Sequence, residues 1–180
     1  MVFGLLLSCK EEERAPMPEP TDSTIVYDLP SVEFVQQLDI AEDATAQWSV
    51  FNEFKSTLAS IPNSNLERIR TQSERLTNYS DSLTKQIPEV LSTMPIKTRL
   101  DVVHARLRLF NQSSEEVVVD SVELKNNFKE SITAFNTLLY QINEKFDKDA
   151  IQRQEDANFS HEIQQRFRDS IFEIEKSRQR

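Results

Sequence analysis

Glycine is nearly missing from this chain: of 180 residues only Gly4 is one. Tight hairpin turns rely on positive φ, which glycine adopts at least cost, so a β-rich fold is not expected. The same lack rules out a Gly-rich phosphate loop and a dinucleotide-binding fingerprint. Cysteine is as scarce, with Cys9 alone, so no disulfide can close within the chain. Histidine occurs only at positions 104 and 161. The run His161-Glu162-Ile163-Gln164-Gln165 starts like a zincin helix, but Gln165 stands where the second ligand histidine belongs. His104, beside Val103 on a helix flank with Asp101 nearby, reads as a boundary residue rather than a ligand. Adjacent carboxylates such as Glu115 and Glu116, or Glu173 with Glu175, read as solvated helix faces. Enzyme activity, a cofactor and a metal site are therefore not expected.

Positive charge is also short, with 21 Lys and Arg against 30 Asp and Glu and a net charge of −9. A protein without a basic stripe is a poor nucleic-acid binder, because phosphate contacts dominate that affinity. An anionic bilayer surface would repel it too. No apolar run is long enough to span a bilayer.

What is present begins at the N-terminus. The run from Val2 to Ser8 is almost wholly apolar, and it ends in Leu6-Leu7-Ser8-Cys9 before a charged segment. This pattern resembles the lipobox of bacterial lipoprotein signal peptides. The resemblance implies cleavage before Cys9 and acylation of that cysteine, with residues 1–8 as the signal peptide. A single acyl chain anchors marginally and two or more anchor stably, at about 0.8 kcal/mol per buried methylene. Met1 to Gly4 carry no basic residue, although secretory signals normally do, so a start site further upstream is expected.

Lys10-Glu11-Glu12-Glu13 follows at once. A basic residue and an acidic run after the cysteine are similar to the export signal of surface lipoproteins in the Bacteroidota, which implies an outer-membrane, cell-surface address. From Arg14 to Pro30 the sequence is a tether: Pro16, Pro18, Pro20 and Pro30 favour extended backbone, and few apolar groups offset chain entropy. Asp22-Ser23-Thr24 within it is similar to a short O-glycosylation motif of exported Bacteroidota proteins, with Ser23 as the acceptor. Ile25-Val26-Tyr27 is the apolar exception and is expected to dock on the domain, and Ser31 would cap a short helix carrying Val32, Val35 and Leu38.

The remainder predicts an all-α domain, an antiparallel bundle of four to five helices with coiled-coil-like seams. Capping boxes at Asp39-x-x-Glu42, Ser64-x-x-Glu67 and Ser113-x-x-Glu116, and Pro95 in a first turn, mark the starts. The first helix spans 40–60 with Ala44, Trp48, Phe51, Lys55 and Leu58 on one stripe and Phe54 beside it. The second spans 65–91 through Leu66, Ile69, Ser73, Leu76, Ser80, Leu83, Ile87 and Val90, kinked or ended by Pro88. The third spans 95–111 with Ile96, Leu100, Val103, Leu107 and Phe110. The fourth carries Val118, Val122, Lys125, Phe128, Ile132, Phe135, Leu139, Ile142 and Phe146. Either a break at Asp147-Lys148-Asp149 or near Asn158, or one long rod, fits the pattern; a break is favoured, because a helix far beyond globular length needs a partner along all of it. A fifth helix would then turn Phe159, Ile163, Phe167, Ile171 and Ile174 inward.

The resulting plan is a signal peptide at 1–8, a lipidated Cys9 and tether over 9–38, and one helical domain over 39–180. The expected function is a membrane-anchored envelope lipoprotein whose helical domain binds another envelope protein or a polymer. An immunity-type lipoprotein that neutralises a basic toxin is the first alternative and rests on net charge alone; an enzyme or metal protein with an unrecognised site is the second and less favoured one.

Overall fold

A computed structural model describes the backbone of residues 25–178. The proposed signal peptide, Cys9, the segment from Lys10 to Glu13 and Ser23 lie outside the described residues. The fold is all-α: α1 (Asp39–Ala46), α2 (Phe51–Ala59), α3 (Leu66–Lys85), α4 (Met94–Glu115) and α5 (Ser121–Arg178), with a short 3-10 turn at Glu89–Leu91. Contacts run α2 to α3, α3 to α4 and α4 to α5, and α1 closes onto α5 and α2. Antiparallel packing follows from register. Ser73 meets Ser114 while Ser80 meets His104, and Leu109 meets Asn127 while Arg106 meets Glu130.

One continuous core joins these helices. The expected seams hold through most of their length, from Ile69, Leu76 and Leu83 on α3 to Phe128, Phe135, Leu139 and Ile142 on α5, all fully buried. Phe135 is the hub. Its ring lies 4.8 Å from that of Phe54, 5.7 Å from Phe51 and 5.5 Å, edge-on, from Phe34. Four rings from three segments thus share one contact, and such pairs contribute beyond their buried area.

Several boundaries differ from the sequence reading. The expected 40–60 helix is two helices, because the chain turns through residues 47–50 and tucks Trp48 into the core, stacked on Phe51 at 5.5 Å. Helix α3 stops at Lys85, ahead of Pro88, so Ile87 and Val90 leave the stripe and Val90 is exposed. None of the three capping boxes caps as expected. Asp39 is already helical after Leu38, whose amide bonds to Asn143. Asn65, not Ser64, caps α3 by accepting from Arg68 N at 3.0 Å. Ser113 and Ser114 lie buried in the last turn of α4, and Asp120 caps α5 by accepting from Val122 N and Glu123 N. Val118 and Val122 are accordingly exposed, and Leu124 is the first α5 residue in the core.

No glycine is available for turns in the described residues, and Asn63, at φ 59°, takes the one left-handed position among them. Asparagine tolerates that region better than most side chains.

The domain also starts earlier than Asp39. Residues 25–38 form no helix at Ser31; they run extended over α5 as a strap that buries Leu29 and packs Val32, Phe34 and Val35 against the core. Pro30 and the extended backbone it favours explain why helix loses here.

Candidate binding surfaces

The expected break at 147–149 does not occur, and α5 continues unbroken for 58 residues. Nothing at Asp147-Lys148-Asp149 forces an end: no Pro or Gly is present, and Lys145 pairs with Asp149 while Lys148 pairs with Glu144 across the junction. Such i,i+4 pairs support helix locally. Beyond Phe146, the last core residue, α5 leaves the bundle, and every residue from 150 to 172 is exposed. The rod from residue 150 to the end of α5 at 178 is about 43 Å long at 1.5 Å per residue. Phe159, Ile163, Phe167, Ile171 and Ile174, expected to face inward, are between 41% and 65% exposed instead. Sequence periodicity found the stripe but assigned it to the bundle core, which ends at Phe146.

The C-terminal part of the stripe continues the core face of α5. At 100° per residue, Phe167, Ile171 and Ile174 fall within about 40° of Ile142. Where the rod leaves the bundle, Ile40, Val90 and Phe146 with Gln152 and Arg153 line a shallow depression of about 450 Å³. Exposed Ile40, Val90 and Met94 make that end of the bundle apolar as well.

A second feature escaped the sequence reading. Two asparagines one heptad apart on α5 grip the strap as a neighbouring strand would. Val35 N donates to Asn136 Oδ1 at 2.9 Å, and Asn136 Nδ2 donates to the Glu33 carbonyl at 2.8 Å. Leu38 N donates to Asn143 Oδ1 at 3.0 Å, and Asn143 Nδ2 donates to the Gln36 carbonyl at 2.9 Å. Lys125 pairs with Asp28 at 2.9 Å, and Tyr27 N reaches the Ser64 carbonyl at 3.1 Å. The strap's backbone polar groups are thus met by side-chain amides, where a β-sheet would use another strand.

His104, read as a boundary residue, is half-buried and sets Nδ1 2.8 Å from Ser80 Oγ. That hydroxyl is fully buried and also donates to the Thr77 carbonyl at 2.7 Å. A nucleophile must reach its substrate, and this one is sealed between α3 and α4. With Ser73, Asn111 and Ser114 two to three turns away, the pair forms a polar seam that fixes the register of the two helices. His161 is exposed on the rod, and among the described residues no cluster of His, Cys, Asp or Glu is arranged to hold a metal. Glu115 and Glu116 are exposed at the end of α4.

Among the described residues no helix is long and apolar enough to cross a membrane. No protein family, no curated protein and no solved structure matches this chain.

Proposed function

We propose that this protein is an envelope lipoprotein, anchored through acylated Cys9 in the outer membrane, with a non-enzymatic helical domain that binds other envelope proteins or a polymer. The observation that carries the binding role is the rod of α5. About 29 residues of helix project past their own bundle and carry an exposed apolar stripe, and large apolar surface at a solvent boundary marks interaction sites. The anchor rests on the Leu6-Leu7-Ser8-Cys9 pattern, and the surface address on Lys10 to Glu13.

The test is intact mass and membrane fractionation in a Bacteroidota host, with wild type beside Cys9→Ala. An acylated protein that begins at Cys9, fractionates with the outer membrane and is cut by protease on whole cells supports the reading. An unmodified, soluble protein that begins at Met1 overturns it. Hexose-type mass increments present in wild type and absent after Ser23→Ala alone would assign the glycan to Ser23.

A further inference from the structure

We propose that the face of α5 beneath the strap is a peptide-binding groove. The chain fills it with its own strap until an acidic, aromatic-bearing extended segment of a partner protein takes the strap's place. This groove is a surface other than the rod, and it stands without the lipid anchor.

The groove reads backbone first. The carbonyls of Glu33 and Gln36 and the amides of Val35 and Leu38 make the four bonds to Asn136 and Asn143, so the same pair of groups recurs after three residues. A polyproline II segment repeats every three residues and advances about 9 Å in doing so. A heptad of α-helix advances about 10.5 Å. Two asparagines seven residues apart therefore meet equivalent groups of a segment in this conformation, and Leu38, at φ −68° and ψ 149°, has it. None of the four bonds involves a strap side chain, so the clamp excludes only proline, at the two donor positions.

Side chains add the selection. Phe34, between the Glu33 carbonyl and the Val35 amide, sets its ring edge-on to Phe135 at 5.5 Å and lies under Lys55 Nζ at 5.2 Å. Asp28 pairs with Lys125 at 2.9 Å. Residues 25–38 carry two acids and no base, so two lysines meet an acidic segment, one at its ring and one at its carboxylate. An acidic extended segment with one aromatic residue is what this face complements. Peptide-recognising domains divide the work in the same way, with main-chain bonds for affinity and side-chain pockets for specificity.

The strap is a weak occupant. Among residues 25–38 only Leu29 is buried, and three of the four clamp bonds are exposed. Segments with few buried contacts and solvent-exposed hydrogen bonds open before the rest of a fold. Opening takes Phe34 off the Phe135 ring, so the open face needs a replacement of the strap's own kind. The closed strap lowers a partner's apparent affinity by the fraction of molecules in which the groove is open.

The probe is a fluorescein-labelled peptide of residues 25–38, titrated by anisotropy into the full chain carrying Cys9→Ala. Val35→Pro in that chain removes the donor to Asn136 from the strap alone. The peptide should then bind about tenfold more tightly than it does to the chain with its native strap. Adding Asn136→Ala to the chain, or Val35→Pro to the peptide, should abolish the gain, and peptides carrying Phe34→Ala or Asp28→Lys should bind the loosened chain more weakly. No saturable binding to a Val35→Pro chain with native Trp48 emission, binding that Asn136→Ala leaves unchanged, or peptides that all bind alike overturns the proposal. If Val35→Pro alters Trp48 emission, Phe34→Ala serves as the loosened chain, and loss of native emission in both shows a strap that cannot open alone and overturns it too. The chain with its native strap should sediment as a monomer; a dimer that Asn136→Ala dissociates would make a second copy's strap the occupant and overturn a foreign one. None of these outcomes bears on acylation at Cys9 or on the rod.

Discussion

Asn136 holds the strap at Val35 as a paired strand would, accepting from the Val35 amide at 2.9 Å while its own amide donates to the Glu33 carbonyl at 2.8 Å. One side chain thereby satisfies a carbonyl and an amide on the two peptide units that flank Phe34. Asn136→Ala removes both bonds and should cost about 1 kcal/mol each, the usual net worth of a hydrogen bond. Asn136→Asp keeps the acceptor and loses the donor, so it should fall between. Urea denaturation gives the ordering, and hydrogen exchange at the Val35 and Leu38 amides locates the loss. If Asn136→Ala quickens exchange throughout the bundle and not in the strap, the clamp is not what these bonds provide.

Phe135→Ala tests the core. The side chain is fully buried and meets rings from α2 and from the strap, so the substitution should cost about 3–5 kcal/mol. Chemical denaturation followed by Trp48 emission measures it, since the only tryptophan sits in that core. A loss near 0.5 kcal/mol, typical of surface positions, would mean that the hub is not packed as described.

The helical class and most of the buried stripe were legible because spacings of three and four mark a helix face wherever one side meets solvent. The seam from Phe128 to Phe146 on α5 and that from Ile96 to Phe110 on α4 follow this rule. Boundaries were not legible for two reasons. Ser113 has an acid three residues on, but its hydroxyl returns to the Phe110 carbonyl inside α4, so tertiary packing outweighs the capping pattern. Trp48 is drawn into the core by a turn at 47–50 that helical periodicity conceals, since the residues on either side keep apolar spacing. The asparagine clamp was invisible for a different reason. Polar residues at 136 and 143 look like a solvated face until an extended segment is known to lie over them.

Acid should weaken the helix-surface ion pairs in a defined direction. Asp81 is held below its ordinary range chiefly by the hydrogen bond from Lys85, and Glu144 chiefly by that from Lys148, with Gln141 next. A carboxylate whose pKa is depressed by folding stabilises the folded state above its unfolded value. That contribution is lost as pH falls through the folded value. Glu144→Gln and Asp81→Asn should therefore lower the melting temperature at pH 7, with the gap to wild type closing below about pH 4, where carboxylates protonate. The effect is small, because Asp81 is exposed and Glu144 partly so, and solvent screens such pairs. A gap that widens on acidification would contradict the assigned direction.

The rod and the bundle should also come apart energetically. Gln154 lies on the exposed rod, two turns past Phe146, and nothing in the bundle covers it. Gln154→Pro removes a backbone donor and clashes with the carbonyl of Ala150, at a cost of about 3 kcal/mol within a helix interior. That cost falls on the rod alone, since residues 150–172 are exposed and contribute no side chain to the core. Far-ultraviolet circular dichroism should show lost helix, while the denaturation midpoint read from Trp48 shifts by less than about 0.5 kcal/mol equivalent. A large fall in the Trp48 midpoint would mean that the rod folds back and is part of the domain's own stability. An unchanged midpoint leaves the helical rod as a structure kept for what it meets outside its own bundle.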